Sequence, residues 1–113
     1  VIARGELWWT DLGAPTGSEP GHRRPVVIVS ADAYNQSRIR TVLVVTVTSN
    51  LRLGQGPGNV SLEAGDSGLG RPSVINVTQV VTLDKDRLTE RIGRLDPATM
   101  ELVDAGLRRS LGL

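Results

Sequence analysis

Cysteine is absent from the 113-residue sequence, which excludes disulfides, Cys-ligated zinc and thiol nucleophiles. Histidine occurs once, at His22, so a multi-histidine metal site is excluded as well. No apolar run approaches the ~20 residues of a membrane-spanning helix. The longest, around Val42 to Val47, has the length of a strand. The opening Val-Ile-Ala-Arg-Gly-Glu does not read as a signal peptide, so the expectation is a cytoplasmic protein with no membrane partner. An excess of charge is missing too. Thirteen basic and twelve acidic residues leave a formal +1, which excludes nucleic-acid binding through bulk electrostatics and requires any such contact to be local.

What is present describes a folded globular chain. Hydrophobic residues at 39% and charged residues at 22% are values of soluble domains and not of disordered segments. The length suits a single domain over residues 1–113, with a core modest enough that self-association would help stabilise it. Every basic residue except Lys85 is arginine, whose planar fork suits bidentate phosphate contact. A GC-rich genome produces the same bias, so these arginines carry meaning only where their position singles them out.

The pattern along the chain is mainly β. Glu6 to Trp9 reads as a first strand, Thr10 to Arg23 as a polar loop, and Arg24 to Ser30 as a second strand followed by a helical turn over Ala31 to Asn35. Thr41 to Thr48 is β-branched enough to be a strand and not a helix. Glycines at 54, 56 and 58 mark Asn50 to Gly58 as a mobile loop. Strands follow at Asn59 to Glu63, at Ser73 to Leu83 as one bent strand or two short ones, and at Arg91 to Arg94 after a helical turn at Lys85 to Leu88. A C-terminal helix is predicted from Asp96 as cap, Pro97 at the first position, and Met100, Val103, Leu107 and Leu111 at helical spacing, with Arg108 and Arg109 suited to its end. The expected fold class is α+β, mainly β: a compact barrel-like antiparallel sheet with the helix packed on it.

Antiparallel pairing of the second and third strands brings the end of one beside the start of the other, so that Arg24 meets Thr48, Ser49 and Asn50. The loops at Thr10 to Arg23 and Asn50 to Gly58 then form two walls of a cleft, with Glu19 on one of them. Without cysteine or a histidine cluster, the chemistry natural to arginine, glutamate and hydroxyl groups around a phosphate is cleavage of RNA by its own 2′-OH. Glu19 is the candidate base, Arg24 the charge stabiliser, and Thr48 and Ser49 phosphate donors. Each residue also has an ordinary reading, as an ion-pair partner, turn chemistry or a solvated charge.

These residues resemble the MazF/PemK (Kid) family of toxin endoribonucleases of type II toxin-antitoxin systems. The likeness runs through Arg4-Gly5-Glu6-Leu7-Trp8, Asp11-Leu12, Gly17-Ser18-Glu19, Arg24-Pro25-Val26-Val27-Ile28-Val29, Asn35, Val45 to Asn50, Gln79, Thr82-Leu83 and Ile92-Gly93. The resemblance implies an SH3-like barrel of the PemK/CcdB type, a homodimer, and cofactor-free, metal-independent cleavage of single-stranded RNA to 2′,3′-cyclic phosphate and 5′-hydroxyl ends. It implies catalytic roles for Arg24, Thr48 and Glu19, RNA contacts from Ser18, Asn35, Ser49, Asn50 and Gln79, and neutralisation by a MazE-like antitoxin. One departure matters: many members have an acid where this chain has Thr78, which shifts proton transfer to Glu19, Arg24 or Thr48. The alternative readings are a CcdB-like gyrase poison, against which the Gly-Ser-Glu and Arg-Pro elements argue, and a non-catalytic RNA-binding relative.

Other motifs are discounted. Three glycosylation sequons at Asn35, Asn59 and Asn76 accompany no export signal, and the glycine-rich loops lack the strand-to-helix setting of a phosphate-binding turn. Trp8 and Trp9 could stack bases, but adjacent strand residues face opposite ways, so at least one is expected in the core.

Overall fold

The computed structural model describes residues 1–14, 17–18 and 21–113. Six strands, β1 (Glu6–Asp11), β2 (Arg23–Ile28), β3 (Thr41–Thr48), β4 (Val60–Leu62), β5 (Ser73–Asp84) and β6 (Leu88–Arg94), form one antiparallel sheet in the order β4-β5-β3-β2-β1-β6. Two α-helices, α1 (Asp32–Asn35) and α2 (Pro97–Leu111), complete the fold. The sheet curls into a half-barrel with the C-terminal helix packed on it, as the sequence leads one to expect.

Curling explains why β2 and β3 are continuous apolar runs and not alternating ones: both of their faces are buried. Val27, Val45 and Val47 face a core that includes Ile75, Val77 and, from α2, Val103 and Leu107. Val26, Ile28, Val42 and Val44 face a second core with Leu83 and Leu88, closed by Trp8, Ile2 and Leu12. The pairing of β3 with β5 jumps from Val45↔Val80 to Thr46↔Asn76, so Val77, Thr78 and Gln79 bulge out of the long strand.

α2 begins where its cap predicts: Asp96 accepts a hydrogen bond from the Thr99 amide at 2.7 Å, and Gly112 closes the helix in the left-handed conformation. The helix comes unusually close to the sheet side of the molecule at Gly106, whose neighbour is the Gly58 backbone. At the N-terminus, buried Glu6 gathers the Ala3 amide at 2.8 Å, the Trp8 indole at 3.2 Å and Arg91 Nε at 2.7 Å. Burial pushes its carboxyl up, but these three donors outweigh burial and hold it below the usual carboxylate range.

Several boundaries differ from expectation. β1 runs on to Asp11 because Thr10 is buried and its hydroxyl donates to the Arg87 carbonyl at 2.7 Å. The segment expected as a mobile loop contains a 3-10 helix, Leu51–Gln55, capped by Asn50, which accepts from the Arg52 amide at 3.3 Å. Asn59 Nδ2 also donates to the Leu53 carbonyl, at 2.8 Å. β6 begins at Leu88 and not Arg91, and Leu111 is 56% exposed, so the buried stripe of α2 ends at Leu107.

Candidate active site

The β2–β3 register is Val26↔Thr46, Val27↔Val45 and Ile28↔Val44. Continued by two residues, it sets Arg24 opposite Thr48. Beside them β1 contributes Trp9, paired with Pro25, and β5 contributes Ser73, next to Val74, which pairs with Thr48. An open cleft of about 200 Å³ lies where these ends converge, with Arg24, Thr48 and Ser49 among its lining residues.

Arg24 is half-buried, and its Nε donates to the Gly21 carbonyl at 2.8 Å, which fixes the plane of the guanidinium. Among the described residues no carboxylate lies within salt-bridge distance of it. Thr48 Oγ1 accepts from the Asn50 amide at 3.1 Å, so its hydroxyl proton is available for donation to a ligand. Ser49 is exposed on the rim. The described lining is thus cationic and hydroxylic, with neither carboxylate nor imidazole, a donor set suited to an anion.

Beyond this group the expected site residues divide. Asn50 sits next to the cleft strand end, with its side chain used as the 3-10 cap. Gln79 stands on the β5 bulge, where buried Thr46 donates to its Oε1 at 2.7 Å. The neighbouring Thr78 turns its hydroxyl back to Asn76 Oδ1 at 2.8 Å. Ser18 is exposed in the β1–β2 loop. Glu19 lies outside the described residues.

Asn35, expected to contact RNA, is instead 4% exposed. Its Oδ1 accepts from Ser30 Oγ at 2.5 Å, while its Nδ2 donates to the Ser30 carbonyl at 2.7 Å and to Asp32 Oδ1 at 3.1 Å. It ties α1 to the end of β2, and its amide is used up internally. Asp32 is held below its ordinary range by the Arg4 amide and then by Asn35 itself.

The structure also adds residues that the sequence did not single out. Arg23, Arg71 and Ser73 line the cleft. Arg23 lies 4.2 Å from the Trp9 ring centroid and 3.6 Å from Glu90. Of the two tryptophans, Trp8 packs on the second core and Trp9 lines the cleft. The signal that could have located Arg71 is strand order: once β5 pairs antiparallel with β3, the residues just before Ser73 reach the same rim as Thr48.

The chain is similar to known proteins over nearly its whole length. Residues 3–111 match the family described as PemK-like, MazF-like toxin of type II toxin-antitoxin system. Endoribonuclease MazF6 of Mycobacterium tuberculosis is 50% identical over 113 residues, covering 100% of this chain and 99% of that protein. Endoribonuclease EndoA of Bacillus subtilis is 36% identical, covering 100% and 97%. Among solved structures, an endoribonuclease in complex with its cognate antitoxin from a mycobacterial species has a TM-score of 0.83 at 29% identity, covering 100% of this chain and 97% of that one. MazF from Deinococcus radiodurans has a TM-score of 0.81 at 29% identity, covering 100% and 98%. The chain belongs to the PemK/MazF family of type II toxin-antitoxin toxins.

Proposed function

We propose that this chain is a toxin endoribonuclease that cleaves single-stranded RNA at selected sequences, without a metal, in the cleft where β2 begins and β3 ends. The observation that carries the reading is the register that sets Arg24 opposite Thr48, in a lining of guanidinium and hydroxyl groups. Endoribonuclease relatives that match the whole chain support it.

In the proposed reaction the RNA supplies its own nucleophile. The ribose 2′-oxygen forms a bond to phosphorus as the P–O5′ bond breaks, giving a 2′,3′-cyclic phosphate and a 5′-hydroxyl. The 2′ proton leaves to a base and the 5′-oxygen receives one, so no water is consumed. Arg24 stabilises the charge that grows on the non-bridging oxygens, and Thr48 and Ser49 donate hydrogen bonds that orient them. Glu19, which precedes Arg24 by a few residues in the sequence, is assigned the base. Thr78 cannot replace it, because a hydroxyl bonded to Asn76 is no proton acceptor at neutral pH.

The same reading includes a homodimer in the cytoplasm, held inactive by a MazE-like antitoxin whose acidic and apolar tail covers the cationic cleft. A relative solved with its cognate antitoxin supports that assembly. Incubating purified protein with a long RNA in EDTA, then mapping and chemically typing the ends, tests the reaction. Cyclic phosphate and 5′-hydroxyl ends at recurrent sequences are expected. Intact RNA, or 5′-phosphate ends, would overturn it.

A further inference from the structure

The three arginines of the cleft differ in how they are engaged. Arg23 is held over Trp9 at 4.2 Å and toward Glu90 at 3.6 Å. Arg24 is fixed by the Gly21 carbonyl beside Thr48. Arg71 comes from a separate element, the connection between β4 and β5. Its side chain is exposed, and among the described residues no carboxylate lies within salt-bridge distance of it. Its backbone is nonetheless anchored: Ser73, buried at 4% and paired with Leu62, donates Oγ to the Arg71 carbonyl at 3.3 Å.

Cleavage by a 2′-oxygen requires that oxygen, the phosphorus and the leaving 5′-oxygen to lie in line. A single held phosphate does not enforce this, because the strand can pivot about it. A second cation on another element of the same cleft fixes the direction of the strand. We propose that Arg71 is a positioning residue that binds an RNA phosphate next to the one being cleaved, while Arg24 and Thr48 hold the reacting one. The inference rests on the endoribonuclease reading and goes beyond it, since a ribonuclease could work in this cleft with Arg71 idle.

The test uses the wild-type chain, Arg71→Ala, Arg71→Lys and a remote control, Arg109→Ala, near the end of α2. The binding probe is a single-stranded RNA oligonucleotide carrying the mapped cleavage site with a 2′-deoxyribose there to prevent turnover. Expected for Arg71→Ala is a weakening of binding by about tenfold, as for a charge-assisted hydrogen bond removed from an ionic contact. The slope of log K against log salt should become shallower by about 0.7, the value for one phosphate contact on a single strand. KM should rise and kcat should fall along with it, because a strand free to pivot about one held phosphate reaches the in-line geometry less often. Arg71→Lys should keep the salt slope while losing part of the affinity, and Arg109→Ala should keep both.

If wild type binds and cleaves RNA while Arg71→Ala matches it in affinity and slope, the inference is overturned and the endoribonuclease reading stands. A loss confined to kcat would equally overturn a neighbouring-phosphate role. If wild type itself neither binds nor cleaves, both fail together.

Discussion

Replacing Gly106 by alanine sets two rules of helix energetics against each other. Position 106 lies inside α2, where alanine is favoured over glycine by about 1 kcal/mol. The structure predicts the opposite sign. A methyl group there would sit 2.2 Å from the Gly58 carbonyl oxygen and 3.0 Å from Val77 Cγ1. To reach ordinary contact the helix must retreat by about 1 Å, and a gap of that size forfeits much of the dispersion contact. Val103 and Leu107, which α2 contributes to the first core, would share that loss. Gly58 itself cannot easily yield, since its φ of +83° is a left-handed turn and its Cα faces Gly106. Overpacking costs about 1–3 kcal/mol, and a 2.2 Å approach to a backbone oxygen puts this case in the upper part of that range, about 2–3 kcal/mol, above the propensity gain. A net loss of about 1–2 kcal/mol corresponds to a fall in Tm of about 4–8 °C for a chain of this size. Thermal and urea unfolding at one fixed protein concentration would measure it, because self-association makes Tm concentration-dependent. Ala105→Gly, on the exposed neighbouring position, isolates propensity and should lower stability by about 1 kcal/mol. A Gly106→Ala protein as stable as wild type, or more so, would refute the close helix-to-loop contact.

Two further outcomes follow from the buried polar contacts. Glu6 has a folded pKa below its unfolded value, so its stabilisation is present above the unfolded pKa of about 4.3 and is lost as pH falls through the folded one. Glu6→Gln should therefore be less stable than wild type at pH 7, with the difference narrowing on acidification below about pH 4.5 in parallel urea melts. Asn35→Ala should cost about 1 kcal/mol, because it removes the buried amide that bonds half-buried Ser30 and exposed Asp32, whose freed groups water can partly satisfy. RNA cleavage per folded molecule should be unchanged in that variant, whereas a direct RNA contact would lower it with stability intact.

The parts of the fold legible in the sequence are those whose signal is local. β3 is a β-branched run that ends at Thr48, and Asp96-Pro97 carries the start of α2 in its own cap chemistry. The 3-10 helix at Leu51–Gln55 was hidden because its support is tertiary: Asn59 reaches the Leu53 carbonyl, and Gly54 is close enough to Ser61 that an added Cβ would lie 2.8 Å from its hydroxyl. At the site, Arg24 and Thr48 could be joined by antiparallel pairing of consecutive strands. Arg71 could not, because it reaches the cleft only through the pairing of β5 with β3, with β4 intervening in sequence. The internal bonding of Asn35 was illegible for a related reason. The residue's place in the resemblance is clear, but only the coordinates reveal that Ser30 and Asp32 consume its amide.

The most direct test of the central claim compares wild type, Arg24→Ala and Arg24→Lys on one long RNA in EDTA, with cleavage ends counted and far-UV circular dichroism checking the fold. Removing a preorganised charge stabiliser should lower kcat by about 10²–10³-fold, and lysine, lacking the planar fork, should recover only part of it. Folded Arg24→Ala protein that still produces the same cyclic phosphate ends at the wild-type rate would contradict the assignment of this cleft as the place where RNA is cut.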